Sequence, residues 1–122
     1  MANNLKIISG KYRGLTFDGD NIVGTRPTMN RVKESVFGMI QNHLKNSVCL
    51  DLFAGSGNLG LEALSNGAKT VYFVDHNKIA TDTIVKNIKK LRILENYYIF
   101  NEDYESFLKE CIVNKNNLIL FF

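Results

Sequence analysis

Three carboxylates stand where a nucleoside-like ligand could be held: Asp51, Asp75 and Asp103, each at or just past the end of a short apolar run. Between the first two lie Gly55, Gly57 and Gly60, a Gly-x-Gly-x-x-Gly array. Glycine lets a ligand, and the backbone itself, come close where a Cβ would clash. The array formally matches the dinucleotide fingerprint, and Asp75 lies 20 residues beyond Gly55, where an acid should grip ribose hydroxyls. Asp51 argues against a dinucleotide. It lies four residues before the first glycine, so a pyrophosphate at the following helix N-terminus would be repelled by it. A cationic amino group would be attracted instead. S-adenosylmethionine carries an ammonium and a sulfonium and no phosphate. Its ribose suits Asp75, and Asp103 could accept from its adenine amino group. Each acid alone could equally be a loop-capping carboxylate. The three together, with the glycines, describe a site for a cationic nucleoside better than one for a polyanion. A small dinucleotide-binding oxidoreductase stays open as an alternative.

The elements that must position these residues can be read from periodicity. Val48 to Leu52 is apolar on consecutive residues, as in a parallel strand covered on both faces. A helix is predicted over 58–66, with Gly67 at its C-terminal cap. A second strand spans 69–75, and a helix over 79–91 carries Ile84, Ile88 and Leu91 on one face. A third strand covers 96–100, a short helix 104–112 and a fourth strand 117–122. Strands alternating with helices give an α/β fold with a parallel sheet. Upstream, Leu5 to Ile8 and Leu15 to Phe17 suggest a small hairpin with Lys11 and Arg13 near its tip. A loop over 24–28 holds the only proline, and Thr28 is the expected N-cap of a helix whose stripe is Val32, Val36, Ile40 and Leu44, with Phe37 and Met39 nearby. Two parts result: an N-terminal hairpin and basic arm, 1–27, and a ligand-binding body, 28–122.

At 122 residues, 45% hydrophobic and 22% charged, the chain suits one soluble globular domain. Cys49 and Cys111 form no CxxC pair or disulfide framework, which fits two half-buried or buried thiols in a reducing compartment. No apolar stretch reaches the roughly 20 residues that span a bilayer, and the N-terminus lacks a signal-peptide core. A cytoplasmic protein without membrane association is expected. His43 and His76 lack ligand-spaced companions, so no metal is expected. Net charge is +3, unevenly spread: residues 1–47 hold seven Lys/Arg against three acids, and residues 48–122 hold eight against nine. A basic arm beside a neutral ligand-binding body suits RNA or DNA as partner; a solvated surface is the plainer account.

Asp51-Leu52-Phe53-Ala54-Gly55-Ser56-Gly57, followed by Leu59-Gly60-Leu61-Glu62-Ala63-Leu64 and Gly67-Ala68, resembles motif I of the bacterial 16S ribosomal-RNA guanine-N2 methyltransferases of the RsmD type. Lys6 to Gly14 resembles that family's N-terminal hairpin, and Arg26-Pro27-Thr28 with Arg31, Val32, Lys33 and Glu34 its helix-start signature. Val74-Asp75 resembles its ribose-binding motif. The resemblance implies a Rossmann-like class I S-adenosylmethionine-dependent fold with an N-terminal β-hairpin extension, and methylation of a guanine exocyclic N2 in small-subunit ribosomal RNA, free or in an assembling 30S particle. It implies that Asp51, Gly55 and Gly57 border the methionine part of the cofactor, with Phe53 and Ser56 of the same motif in the cofactor site. Asp75 would take the ribose with His76 beside it, and Asp103 would meet the adenine. Lys11, Arg13, Arg26 and Arg31 would contact RNA phosphates or order the pocket. Asn30 stands where relatives often have Asp.

In that family the fourth strand runs into an Asp/Asn-Pro-Pro-aromatic motif that accepts hydrogen bonds from the guanine amino group and stacks on the base. Here the sequence ends at Leu118-Ile119-Leu120-Phe121-Phe122. The expectation is therefore a truncated form with four parallel strands, no catalytic residue of its own and weak or absent turnover. Its exposed strand-four edge, Leu118 to Phe122, would favour association. A non-catalytic nucleoside- or RNA-binding remnant is the alternative function.

Overall fold

A computed structural model describes residues 4–19, 26–110 and 119–121. Two short strands, β1 (Asn4–Lys6) and β2 (Thr16–Asp18), form an antiparallel hairpin in which Leu5 pairs with Phe17. Next come α1 (Arg26–Leu44), β3 (Val48–Asp51), α2 (Asn58–Ser65), β4 (Thr70–Asp75), α3 (Lys78–Leu91), β5 (Asn96–Asn101), α4 (Tyr104–Glu110) and β6 (Ile119–Phe121). The last four strands make a parallel sheet in the order β5-β4-β3-β6. This is the Rossmann-like arrangement of class I methyltransferases, with the predicted hairpin ahead of it. The order turns back at β3, and the carboxyl end of the strand at such a switch is the usual ligand position in these sheets.

Alternation along each strand explains the two cores. Cys49, Val71 and Phe73 point to one face, where they pack with Leu61 and Leu64 of α2, Ile84, Ile88 and Leu91 of α3, and Phe37 and Leu44 of α1. Leu50 and Val74 point to the other face and meet Phe107 of α4. Ile7, Tyr12 and Phe17 are buried in the first core, so the hairpin and the body share one apolar interior. Burial pushes the Cys49 thiol above its usual range, which keeps it protonated and inert.

Several local expectations are corrected. Helix α1 starts at Arg26, so Thr28 lies within its first turn and is not its N-cap. Pro27 can stand there because the first helical turn needs no N–H donor. The division at residue 27 therefore falls inside α1. The buried stripe of α1 is Lys33, Phe37 and Leu44, with Val36 and Ile40 half-buried, while Val32 is 41% and Met39 77% exposed. Steps of four residues drift ~40° each on a 3.6-residue helix, so Val32 and Leu44 cannot share one face. Helix α3 begins at Lys78, capped by Asn77, whose side chain accepts from the Ile79 N–H. Cys111, residues 24 and 25 and the end of the helix predicted to reach residue 112 lie outside the described residues. Among the described residues no helix is long and apolar enough to cross a membrane.

Candidate functional site

The turn from β3 into α2 is built by two glycines for two reasons. Gly57 is the N-cap residue of α2 at φ +89°, in the left-handed region that side chains rarely adopt. Gly60 is a packing glycine: a Cβ there would lie 2.2 Å from Phe73 Cε1 on β4. Helix α2 thus approaches the sheet as closely as its backbone allows. The glycine amides are all occupied internally. Gly55 donates to Asp75 Oδ2 at 2.9 Å, Gly57 to the Ala54 carbonyl at 2.7 Å, and Gly60 to Asp51 Oδ2 at 3.1 Å.

Two carboxylates therefore bracket the turn. Asp51, at the end of β3, is only 2% exposed. Burial pushes its carboxyl up to about 7; the Gly60 N–H works against that shift and the nearby Asp75 charge adds to it. Asp75, at the end of β4, receives Gly55 N–H on one oxygen and Asn77 N–H on the other at 2.8 Å. A carboxylate offers about four lone-pair sites, so Asp75 has acceptor capacity left for a pair of hydroxyls. His76 is exposed, with Nδ1 3.8 Å from Asp75 Oδ1. Ser56 is buried, and Phe53 is 68% exposed with its ring 5.0 Å from that of Tyr104. Asp103 lies just before α4 and accepts from Ser106 N–H and Oγ at 2.9 Å each. Those bonds hold its carboxyl below the usual range. The residues present suit a ligand with a cation near Asp51 and a ribose at Asp75.

A family model described as Conserved hypothetical protein 95 matches residues 5–122. The chain belongs to that family. Ribosomal RNA small subunit methyltransferase D of Haemophilus influenzae is 40% identical over 107 residues, covering 87% of this chain and 55% of that protein. The protein of the same name from Escherichia coli strain K12 is 34% identical over 109 residues, covering 89% of this chain and 54% of its own length. The solved structure of yhhF from Escherichia coli superposes with a TM-score of 0.77 at 33% identity, over 87% of this chain and 56% of that one. The chain spans about half the length of the curated relatives it matches.

Within this family member the four basic candidates do not gather at one place. The hairpin tip packs on the C-terminal end of α2, where Lys11 N–H donates to the Ser65 carbonyl. Lys11 Nζ pairs with Glu95, just ahead of β5, at 3.0 Å, and Tyr12 Oη donates to the same carboxylate. Lys11 and the exposed Arg13 therefore sit at the amino ends of the strands, opposite the glycine turn. Helix α1 runs the other way: Lys33 reaches Asn58 at the first turn of α2, while the Asn46 N–H beyond its far end donates to the Gly67 carbonyl. Arg31 is exposed near the glycine-turn end, and the Arg26 backbone opens α1 there.

A buried polar network lies behind the turn, and motif reading alone passed over it. Lys33 and Glu62 are fully buried and 3.0 Å apart. Lys33 also donates to the Lys6 carbonyl at 2.5 Å and to Asn58 Oδ1 at 2.9 Å. Glu62 accepts from Ile8 N–H, Ser9 N–H and Ser9 Oγ. Burial pushes the Lys33 ammonium down, and Glu62 opposes that shift. Asn87 of α3, also fully buried, accepts from Asp18 N–H and donates to the carbonyls of Asp18 and Ser56. The signal for all three was a polar residue at an apolar-face position.

Proposed function

We propose that the chain binds S-adenosylmethionine at the β3–α2 turn and serves methylation of a guanine exocyclic N2 in small-subunit ribosomal RNA. The observation that carries the cofactor reading is the amide accounting. A pyrophosphate needs free N–H groups at the helix start. Here the Gly55 and Gly60 amides already serve carboxylates and that of Gly57 a carbonyl. The turn offers carboxylate acceptors in place of free glycine amides, which favours a cationic nucleoside over NAD or FAD. Asp51 would face the ammonium of the methionine part, Asp75 the ribose hydroxyls, and Asp103 the adenine amino group, with Phe53, Ser56 and His76 around them. Bound there, the cofactor supplies a methyl group already activated on sulfur. The protein's share is then to hold and orient it, and orientation of this kind can contribute most of a transfer rate.

The RNA reading rests on the relatives' names together with exposed cations at both ends of the domain. Arg31, in the helix that Arg26 opens, would meet phosphates near the reacting base, whereas Lys11 and Arg13 would meet more distant ones. Calorimetry with S-adenosylhomocysteine and with NADH tests the cofactor. Binding of the first and not the second is expected, and the reverse would overturn the reading. Labelled S-adenosylmethionine with 30S particles tests the substrate. Label recovered as N2-methylguanine supports it, and label on any other base or atom refutes it. Cofactor binding without label transfer would favour a nucleoside-binding module that does not turn over.

A further inference from the structure

We propose that Asn87 and Lys33 are positioning residues that tie the glycine turn to the N-terminal hairpin, so that cofactor affinity depends on the hairpin being docked. The inference rests on the cofactor reading above. Two side chains grip the turn from behind: Asn87 Nδ2 on the Ser56 carbonyl at 2.9 Å and Lys33 Nζ on Asn58 Oδ1 at 2.9 Å. Each spends its remaining capacity away from the turn. Asn87 closes a two-point contact on the Asp18 backbone, donating to the carbonyl at 2.8 Å and accepting from the N–H at 2.9 Å. Lys33 donates to the Lys6 carbonyl, and its third proton goes to Glu62, which in turn holds the amides of Ile8 and Ser9. Asp18 lies in β2 and Lys6 in β1, so both strands of one hairpin are held, one by each clamp.

Every donor proton of both clamps is used: the two of the Asn87 amide and the three of the Lys33 ammonium. Both side chains are fully buried. If the hairpin lifted, Asn87 would lose its Asp18 partners and Lys33 one of its three acceptors, inside an apolar core where unmade bonds are costly. The grips on Ser56 and Asn58 would then come from side chains that had lost part of their own anchoring, beside the turn's own bonds to Asp75, Ala54, Val74 and Asp51. Hairpin docking and turn geometry are therefore one coupled equilibrium. By linkage, a ligand that favours the ordered turn must also favour the docked hairpin by the same factor.

The test combines variants with a measurement on the unaltered protein. Asn87→Ala and Lys33→Met should each lower affinity for S-adenosylhomocysteine at least tenfold at a temperature where circular dichroism shows them folded. Leu91→Ala, a core truncation at the far end of α3, should lower the unfolding midpoint comparably and leave affinity unchanged. In the unaltered chain, S-adenosylhomocysteine should slow amide exchange at Ile8, Ser9 and Asp18 about as much as at Gly55; this holds the proposal to account even if the variants do not fold. Wild-type affinity in Asn87→Ala, equal affinity loss in Leu91→Ala, or protection of the turn without the hairpin would each overturn the proposal while leaving the cofactor reading intact. No binding by the unaltered chain would overturn both.

Discussion

Asp51 offers the sharpest test of the cofactor reading, because its protonation and its ligand must compete. In the free chain burial raises its carboxyl from 3.8 to about 7. The folded state therefore holds a proton that the unfolded state sheds above pH ~4. Stability contributed by this group is greatest below that point, falls as pH rises toward 7 and is level above it. The difference between 3.8 and about 7 corresponds to about 4 kcal/mol. A ligand ammonium beside the carboxylate removes the penalty by supplying the missing counter-charge. Binding must then release the proton wherever Asp51 still carries one. About one-tenth of the group is ionised one unit below its pKa and nine-tenths one unit above, so affinity should rise about tenfold between pH 6 and pH 8.

Calorimetry at pH 6 in two buffers of different ionisation enthalpy should report release of nearly one proton per S-adenosylhomocysteine, and almost none at pH 8. Asp51→Asn should flatten the pH dependence. It should also cost about 1.5–3 kcal/mol of binding at pH 8, the worth of a hydrogen bond to a charged group. Unliganded, the same variant should unfold at higher temperature than wild type at pH 8 and not at pH 5. His76→Gln serves as the control for the imidazole 3.8 Å from Asp75. A dissociation constant that is flat from pH 6 to 8, with buffer-independent heat, would refute the placement of the cation at Asp51.

Gly60→Ala should destabilise by about 1–3 kcal/mol through overpacking, since its Cβ would lie 2.2 Å from Phe73 Cε1; an unchanged urea midpoint would contradict that contact. Asp103→Asn keeps an N-cap acceptor and should preserve α4 while weakening S-adenosylhomocysteine several-fold, whereas Asp103→Ala should also lower the helicity of α4 by removing its cap. Equal affinity in all three forms would remove Asp103 from the site. Arg31→Ala should weaken RNA binding and flatten its salt dependence more than Lys11→Ala does, because Lys11 already has Glu95 as counter-ion; the reverse order, measured by filter binding, would place the RNA at the hairpin end.

The parallel sheet and the glycine turn were legible because their signals are local. Val48 to Asp51 and Thr70 to Asp75 are short apolar runs closed by acids, and the glycines between them answer needs of the same few residues. Asp103 shows the limit of that logic: one carboxylate can cap a helix and border a ligand, and its position fits both. Lys33, Glu62 and Asn87 were not legible, because each looks wrong alone and right only beside a partner far along the chain. Lys33 stands on the α1 face with Phe37 and Leu44, Glu62 between the buried Leu61 and Ala63 of α2, and Asn87 beside Ile84, Ile88 and Leu91. A charge in such a place reads as surface until its counter-charge is found. That changes the inference from charge as well. Of the seven Lys/Arg in residues 1–47, Lys33 is neutralised inside the core by Glu62 and Lys11 at the surface by Glu95, both from beyond residue 47. The free basic excess facing a polyanion is thus smaller than the count suggests, and the case for RNA at the cofactor end depends on the α1 arginines, above all Arg31, rather than on the hairpin.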